Sequence, residues 1–357
     1  MIKKYKVEII SPVHIGSGDK ISPIEYILED KFYRINMDSL FEDKDFPREE
    51  FIEKAKTQIY LGDFYSQAKK HKSYYLEICE ELKRRKIIKE VLEFIKSGGK
   101  VFIPGSSLKG AIRTAIIYYA IKNKEEIHSF VKNELIKLSK KGGDRKRADD
   151  RIDEKFFGKT THDFMKGLIV SDSNLFYTDV LKLQLVKVLS VNVANKLQQK
   201  LDLLVEALKI GSKFEISIKI DDFYFREEVK ELGFSNKKEY LENLPKICNE
   251  YAKELIEYEM KFFKKYGNWY KDLIEFYEDL KEEDGFLLRI SWGTGWHSMS
   301  IARLFQEESF FFELRKKFKL GKRKNPPYFF NIFPKTRKVV VDDKIYPLGW
   351  IKLEEVK

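Results

Sequence analysis

Lys109 and Arg113 lie one helical turn apart, just after a run of small residues, in Phe102-Ile-Pro-Gly-Ser-Ser-Leu-Lys-Gly-Ala-Ile-Arg-Thr-Ala-Ile-Ile117. The chemistry open to such a pattern is anion capture. Backbone N–H groups at a helix start point outward, and a phosphate placed there gains the N-terminal field, about 0.3–1 kcal/mol. Charge-assisted bonds from the two cations would add to it. Gly105, Ser106, Ser107, Lys109, Gly110 and Arg113 are therefore candidate phosphate contacts, although an ordinary capped helix with solvated cations fits the same local pattern. Two elements must position them. Val101 to Ile103 read as a strand broken by Pro104-Gly105, and Leu108, Ala111, Ile112 and Ala115 form the apolar face of a helix N-capped by Ser106 or Ser107. Gly105-x4-Gly110 also matches the first half of a P-loop, but Ala111-Ile112 replaces the required Lys-Ser/Thr, so ATP hydrolysis is not expected.

Three other segments combine small residues with rings or cations. Ser11-Pro-Val-His-Ile-Gly-Ser-Gly18 is a tight turn in which Gly16, Ser17 and Gly18 would let a phosphate approach the backbone, or would simply make a turn. His14 beside them reads as a packing or hydrogen-bonding residue, because no serine or cysteine nucleophile is spaced with it. Trp292-Gly-Thr-Gly-Trp296 offers Gly293 and Gly295 for close approach and Trp296 for stacking on a base or anchoring in the core. Lys335, Arg337 and Lys338 follow Pro334 as a basic turn suited to phosphate contact or to plain solvation. The runs Lys83 to Lys86 and Lys316 to Lys324 read as solvated faces. His162-Asp163 lacks the further histidines of a metal phosphohydrolase, and Cys79 and Cys248 are too far apart for a Cys-x-x-Cys site, so neither metal nor cofactor is expected.

Four segments together resemble the RAMP superfamily of RNA-binding CRISPR proteins: Ser11 to Gly18, the Pro104-Gly-Ser-Ser-Leu-Lys-Gly-Ala-Ile-Arg113 turn and helix, Phe156-Phe-Gly158 followed by Gly167-Leu-Ile-Val-Ser-Asp-Ser173, and Pro334 to Arg337 with Pro347-Leu-Gly-Trp350. They fall in the family's order and span nearly the whole chain. The resemblance implies an α+β fold, an RRM-like (ferredoxin-like) antiparallel sheet with glycine-rich loops and large helical insertions. The long helical stretches and the Trp292 to Trp296 loop look most like the Csm subunit that caps the guide-RNA 3′ end of the type III-A effector complex. That likeness implies a cytoplasmic ribonucleoprotein subunit whose partners are guide (CRISPR) RNA, other Csm subunits, especially the adjacent backbone subunit, and host maturation nucleases. Family backbone subunits cut target RNA with an acid shortly after the first glycine loop. Here that stretch is Lys20-Ile-Ser-Pro-Ile-Glu25, with Asp19 and Glu25 only flanking the position, so a binding subunit without catalytic residues is expected. The alternative is a RAMP-type endoribonuclease that processes repeat RNA, with His14 as its acid–base group.

Composition agrees with a polyanionic partner. Against 57 acidic residues the chain carries 68 lysines and arginines, a net charge of +11 that must be spread over the surface. No apolar run approaches the roughly 20 residues that span a bilayer, so neither secretion nor membrane insertion is expected. One elaborated domain over 1–357 is expected, with helical insertions at about 40–98 and 222–284 and a solvated charged loop at about 140–155. Within it, Val7 to Ile10 is a strand and Ile24 to Leu28 pairs with Phe32 to Ile35 as a hairpin. Phe51 to Lys96 reads as helical, with Ile78, Leu82, Val91, Leu92 and Ile95 buried. Strands resume at Leu168 to Val170, Leu183 to Val191 and Lys213 to Ile220. Further on, a helical stretch runs from about Asn236 to Leu280, Phe286 to Ile290 is a strand, Ser300 to Phe318 is a helix, and Val339 to Val341 and Trp350 to Leu353 close the chain as strands.

Overall fold

The strand Ile2–Ile9 alternates as its sequence requires, with Tyr5, Val7 and Ile9 buried and Lys4 and Lys6 exposed. It sits at the centre of a five-stranded antiparallel sheet ordered Phe286–Arg289, Trp350–Glu355, Ile2–Ile9, Lys213–Ile220, Leu168–Val170. Phe214, Ile216 and Ile218 continue the same apolar face beside Leu353 and Leu288. Two long helices cover this face, Gly105–Asn123, hereafter the signature helix, and Leu244–Lys264, which pack on the sheet and on each other. Burying that face supplies the main core. The computed structural model describes residues 2–57, 59–144, 147–232, 237–266, 270–283 and 285–356. The expected helix start at Asn236 and the middle of the charged loop, residues 145–146, lie outside them.

A second sheet is built on the hairpin Leu181–Val191 and Leu197–Leu208. To one side Gly16–Ile21 and Val91–Phe94 extend it, and to the other Lys72–Ile78, Phe32–Ile35 and Tyr26–Leu28, with Thr336–Val341 pairing on Leu181–Val191 as well. The first sheet is the antiparallel one that was expected. In the second, Lys182 and Leu183 pair in parallel with Glu77 and Ile78, and Leu204 and Val205 with Val91 and Leu92, so that sheet is mixed. The architecture is α+β.

Three expectations for local structure need correction. The stretch 51–96 is not continuously helical: short helices at Arg48–Ala55, Leu61–Phe64 and Glu80–Arg84 surround the strands Lys72–Ile78 and Val91–Phe94. Ile78, Leu82 and Val91 are buried as expected, but Ile78 and Val91 are buried as strand residues against the hairpin, and that non-local pairing overrides local periodicity. The charged segment 140–155 is helical at its two ends rather than a loop throughout: Glu125–Lys141 extends into its start, and the helix Asp150–Phe157, which buries Ile152, Phe156 and Phe157, takes up its end. Ser300 to Phe318 divides into a 3-10 turn, Ile301–Phe305, and a helix, Phe310–Lys317. Leu244–Lys264 and Lys271–Glu282 supply the long helices of the 222–284 region. Among the described residues no helix is long and apolar enough to cross a membrane.

Candidate nucleic-acid interface

Pro104, not a serine, precedes the first residue of the signature helix, and its N-terminus is bonded from elsewhere in the chain. Gly105 N–H donates to Asp172 Oδ1 at 2.7 Å, so neither Ser106 nor Ser107 is the cap. Gly105 is a packing glycine, since a Cβ there would lie 2.3 Å from the Val170 carbonyl oxygen. Lys109 is half-buried and donates to the Leu168 carbonyl at 2.6 Å, and burial lowers its pKa. Arg113 bonds Asp163 at 2.6 Å and Asp153 at 3.1 Å, its guanidinium 3.5 Å from the Phe157 ring centre. Both cations of the expected clamp therefore hold the helix to its neighbours. Ser106 and Gly110 are the exposed members of the motif, and nothing lies within 4 Å of where a Gly110 Cβ would be.

The loop 11–18 and the loop 291–296 are joined through His14. His14 N–H donates to Ser291 Oγ at 2.9 Å and Trp292 N–H to the His14 carbonyl at 2.8 Å. The imidazole is 1% exposed. Its Nδ1 lies 2.7 Å from the Glu206 carbonyl, which can only accept, so Nδ1 carries the proton. Burial holds its pKa down at about 4. His14, expected among the RNA contacts, is buried and ties the two loops together. Gly16, Ser17 and Gly18 are exposed, and Gly18, at φ +100°, faces open space.

The loop 291–296 is the hub of the motif residues. Ser291, Gly293 and Gly295 all have φ near +90 to +120°, which carries the backbone outward between two half-buried tryptophans. The Trp296 ring packs 4.8 Å from Phe333, and Lys338 Nζ sits 4.9 Å above the Trp292 ring. On one side Trp296 and Met299 share a cavity of about 350 Å³ with Arg113 and Thr114 of the signature helix. On the other, Gly293 and Gly295 share one of about 150 Å³ with Pro334, Thr336 and Arg337. Arg337 is not the free cation that was expected: it is 6% exposed, donates from Nε to Glu259 Oε2 at 2.6 Å and from Nη1 to the Pro334 and Thr336 carbonyls, and lies 3.9 Å from the Phe262 ring centre. Lys335 stays half-exposed over Phe330 at 4.4 Å.

Sequence reasoning missed two sets of buried polar groups. Glu206 is fully buried and accepts from Tyr74 Oη, Phe94 N–H and Lys96 Nζ, at 2.6, 2.9 and 2.6 Å. A lone acid in the apolar strand Leu-Leu-Val-Glu-Ala-Leu was its only signal. Arg289, Arg303 and Arg337 surround His297, whose ring rests 4.1 Å from Tyr258. Burial, with those three cations, pushes the His297 pKa down to about 2. Nothing in sequence spacing marks this cluster.

With this geometry in hand, the family follows: a RAMP superfamily model matches residues 6–295. The chain belongs to the RAMP superfamily. It is 28% identical over 99% of its length to the CRISPR system Cms protein Csm5 of Methanocaldococcus jannaschii, 88% of which is covered. A chain of a solved Csm–crRNA–target RNA ternary complex of a type III-A CRISPR-Cas system superposes with a TM-score of 0.78 at 27% identity, covering 99% of this chain and 100% of that one. The crystal structure of T. onnurineus Csm5 superposes at 0.70 and 24% identity, over 97% and 99%. In this RAMP chain the motif residues divide into exposed backbone at Gly16–Gly18, Ser106 and Gly110, a partly buried loop at Gly293–Gly295, and side chains at His14, Lys109, Arg113 and Arg337 that brace them.

Proposed function

We propose that the chain is the Csm5-type capping subunit of a type III-A effector complex, binding the 3′ portion of guide RNA, ending the row of backbone subunits and supporting maturation of the guide's 3′ end. The observation that carries this reading is the end-to-end match to a chain of a Csm–crRNA ternary complex. A net charge of +11 supports it, as do the exposed glycine-containing segments at 16–18 and 106–110, the first tied through His14 to the partly buried loop 291–296. Its partners are then guide RNA, the adjacent backbone subunit and separate maturation nucleases. The chain itself does no cutting on this reading. Acid–base chemistry by His14 is disfavoured, because the ring is buried and its Nδ1 proton is held by a carbonyl. Native mass spectrometry of the assembled particle is expected to show one copy beside the last backbone subunit, with RNA left intact in magnesium. Several copies per particle, or cleavage abolished by His14→Ala, would refute the reading.

Gly110 gives a test that separates RNA contact from folding. Nothing in the fold requires a glycine mid-helix with open space around it, so Gly110→Ala is expected to stabilise the free chain by roughly 0.5–1 kcal/mol. The same methyl group would block close approach of a phosphate, and RNA affinity is expected to fall about tenfold. Thermal melts and fluorescence anisotropy report the two effects, and unchanged affinity in the stabilised variant would remove this helix face from the interface.

A further inference from the structure

A cleft of about 680 Å³, within the range of about 300–1,000 Å³ typical of ligand sites, lies beyond Trp296, where the end of helix Leu244–Lys264 faces helix Phe310–Lys317 and residues 331–333. Lys261, Lys265, Arg303 and Arg315 line it. The Arg303 side chain is 6% exposed, yet none of its three guanidinium nitrogens has a hydrogen-bond partner among the described residues. Its nearest carboxylate, Glu254, is 4.0 Å away and already bonded to Tyr118 and Lys122. Arg315 is 4% exposed with its Nε unpartnered, 4.7 Å from the Phe333 ring centre. Buried donors on a cation left without acceptors are costly to a fold, so an acceptor belonging to a ligand is the natural complement. Two acids stand at the cleft, Glu307 and Glu308, and Glu308 is paired outward with Lys132 at 2.7 Å.

Rings make up much of the remaining wall, among them Tyr266, Phe333 and Phe312, the last 42% exposed. Phe333 also touches Trp296, so the cleft begins where the glycine loop 291–296 ends. We infer that this cleft is a nucleotide subsite for single-stranded RNA, taking a phosphate among its four cations and stacking the adjoining base on its aromatic wall. An acidic protein segment would satisfy the arginines but leave the ring faces without a planar partner. The inference rests on the RNA-binding reading above and extends it to residues outside the four family segments that carry that reading.

The test uses the full chain and a labelled, unstructured uridine oligonucleotide. Lys261→Ala, Lys265→Ala and Phe312→Ala together change only exposed rim positions, so the fold should be kept, as circular dichroism can verify. Affinity is expected to fall at least tenfold, and the slope of log affinity against log salt to become shallower by about 1, near 0.7 per lost phosphate contact. In the unaltered chain, 4-thiouridine in the oligonucleotide is expected to crosslink to peptides within 258–266 and 306–315. Unchanged affinity and slope in the folded rim variant, with crosslinks confined to peptides containing 11–18 and 105–113, would overturn the subsite while leaving RNA binding in place. Absence of any binding by the unaltered chain would overturn both. Loss of a neighbouring subunit from the reconstituted particle, with RNA affinity of the free chain unchanged, would overturn the subsite in favour of an acidic protein segment.

Discussion

Acidification from pH 7 to pH 4 is expected to remove about 3 kcal/mol of stability through each of two buried imidazoles, His14 and His297. In the unfolded chain each takes up its proton near pH 6.5, whereas in the fold His14 does so only near pH 4 and His297 near pH 2. Between pH 6.5 and pH 4 the unfolded state therefore binds more protons than the native state, and stability falls as pH falls. Above about pH 6.5 both rings are neutral in both states and the effect vanishes. Urea unfolding across this range, compared with His14→Gln and His297→Gln, gives the measurement. The variants are expected to lose stability less steeply than the unaltered chain, and identical slopes would show that neither ring is held neutral by the fold.

The second large effect concerns Arg337 and Glu259, each at least nine-tenths buried and bonded at 2.6 Å. Glu259→Ala leaves a guanidinium in the core without its counter-charge and is expected to cost about 3–5 kcal/mol. Replacing both partners, with Glu259→Leu and Arg337→Met, is expected to recover most of that loss, because the cost arises from the unpaired charge more than from the missing bond. A double-mutant cycle by chemical denaturation measures it. Equal destabilisation of the single and double variants would show that packing, not charge, dominates there. Any RNA-binding defect in an Arg337 variant must accordingly be corrected for its folded fraction.

Elements with one buried face were legible in the sequence. The strands Ile2–Ile9 and Lys213–Ile220 alternate, the hairpin Tyr26–Leu28 and Phe32–Ile35 has an evident turn, and the signature helix repeats its apolar positions at helical spacing. Lys72–Ile78 and Val91–Phe94 were not, because what makes them strands is pairing on both sides with distant segments, Phe32–Ile35 and the hairpin for the first, Gly16–Ile21 and the hairpin for the second. The candidate interface divides along the same line. Glycines in tight turns can be recognised from their neighbours, but which way a cation or imidazole points depends on distant acceptors. His14 is fixed by Glu206, 192 residues on, and Arg337 by Glu259, 78 residues back. No local pattern announces either.

The position of Ile2–Ile9 also bears on synthesis. This strand is made well before its neighbours in the sheet, Lys213–Ile220 and Trp350–Glu355. Its backbone donors and acceptors therefore stay open while the intervening chain is made, and one side stays open until Trp350–Glu355 has emerged. The nascent chain carries an unpaired, half-apolar edge for that whole interval, the kind of edge that recruits other strands. Truncations that remove Trp350–Glu355 would make this transient state permanent, so such fragments should collect in inclusion bodies even where every residue of the loops 11–18 and 291–296 is retained.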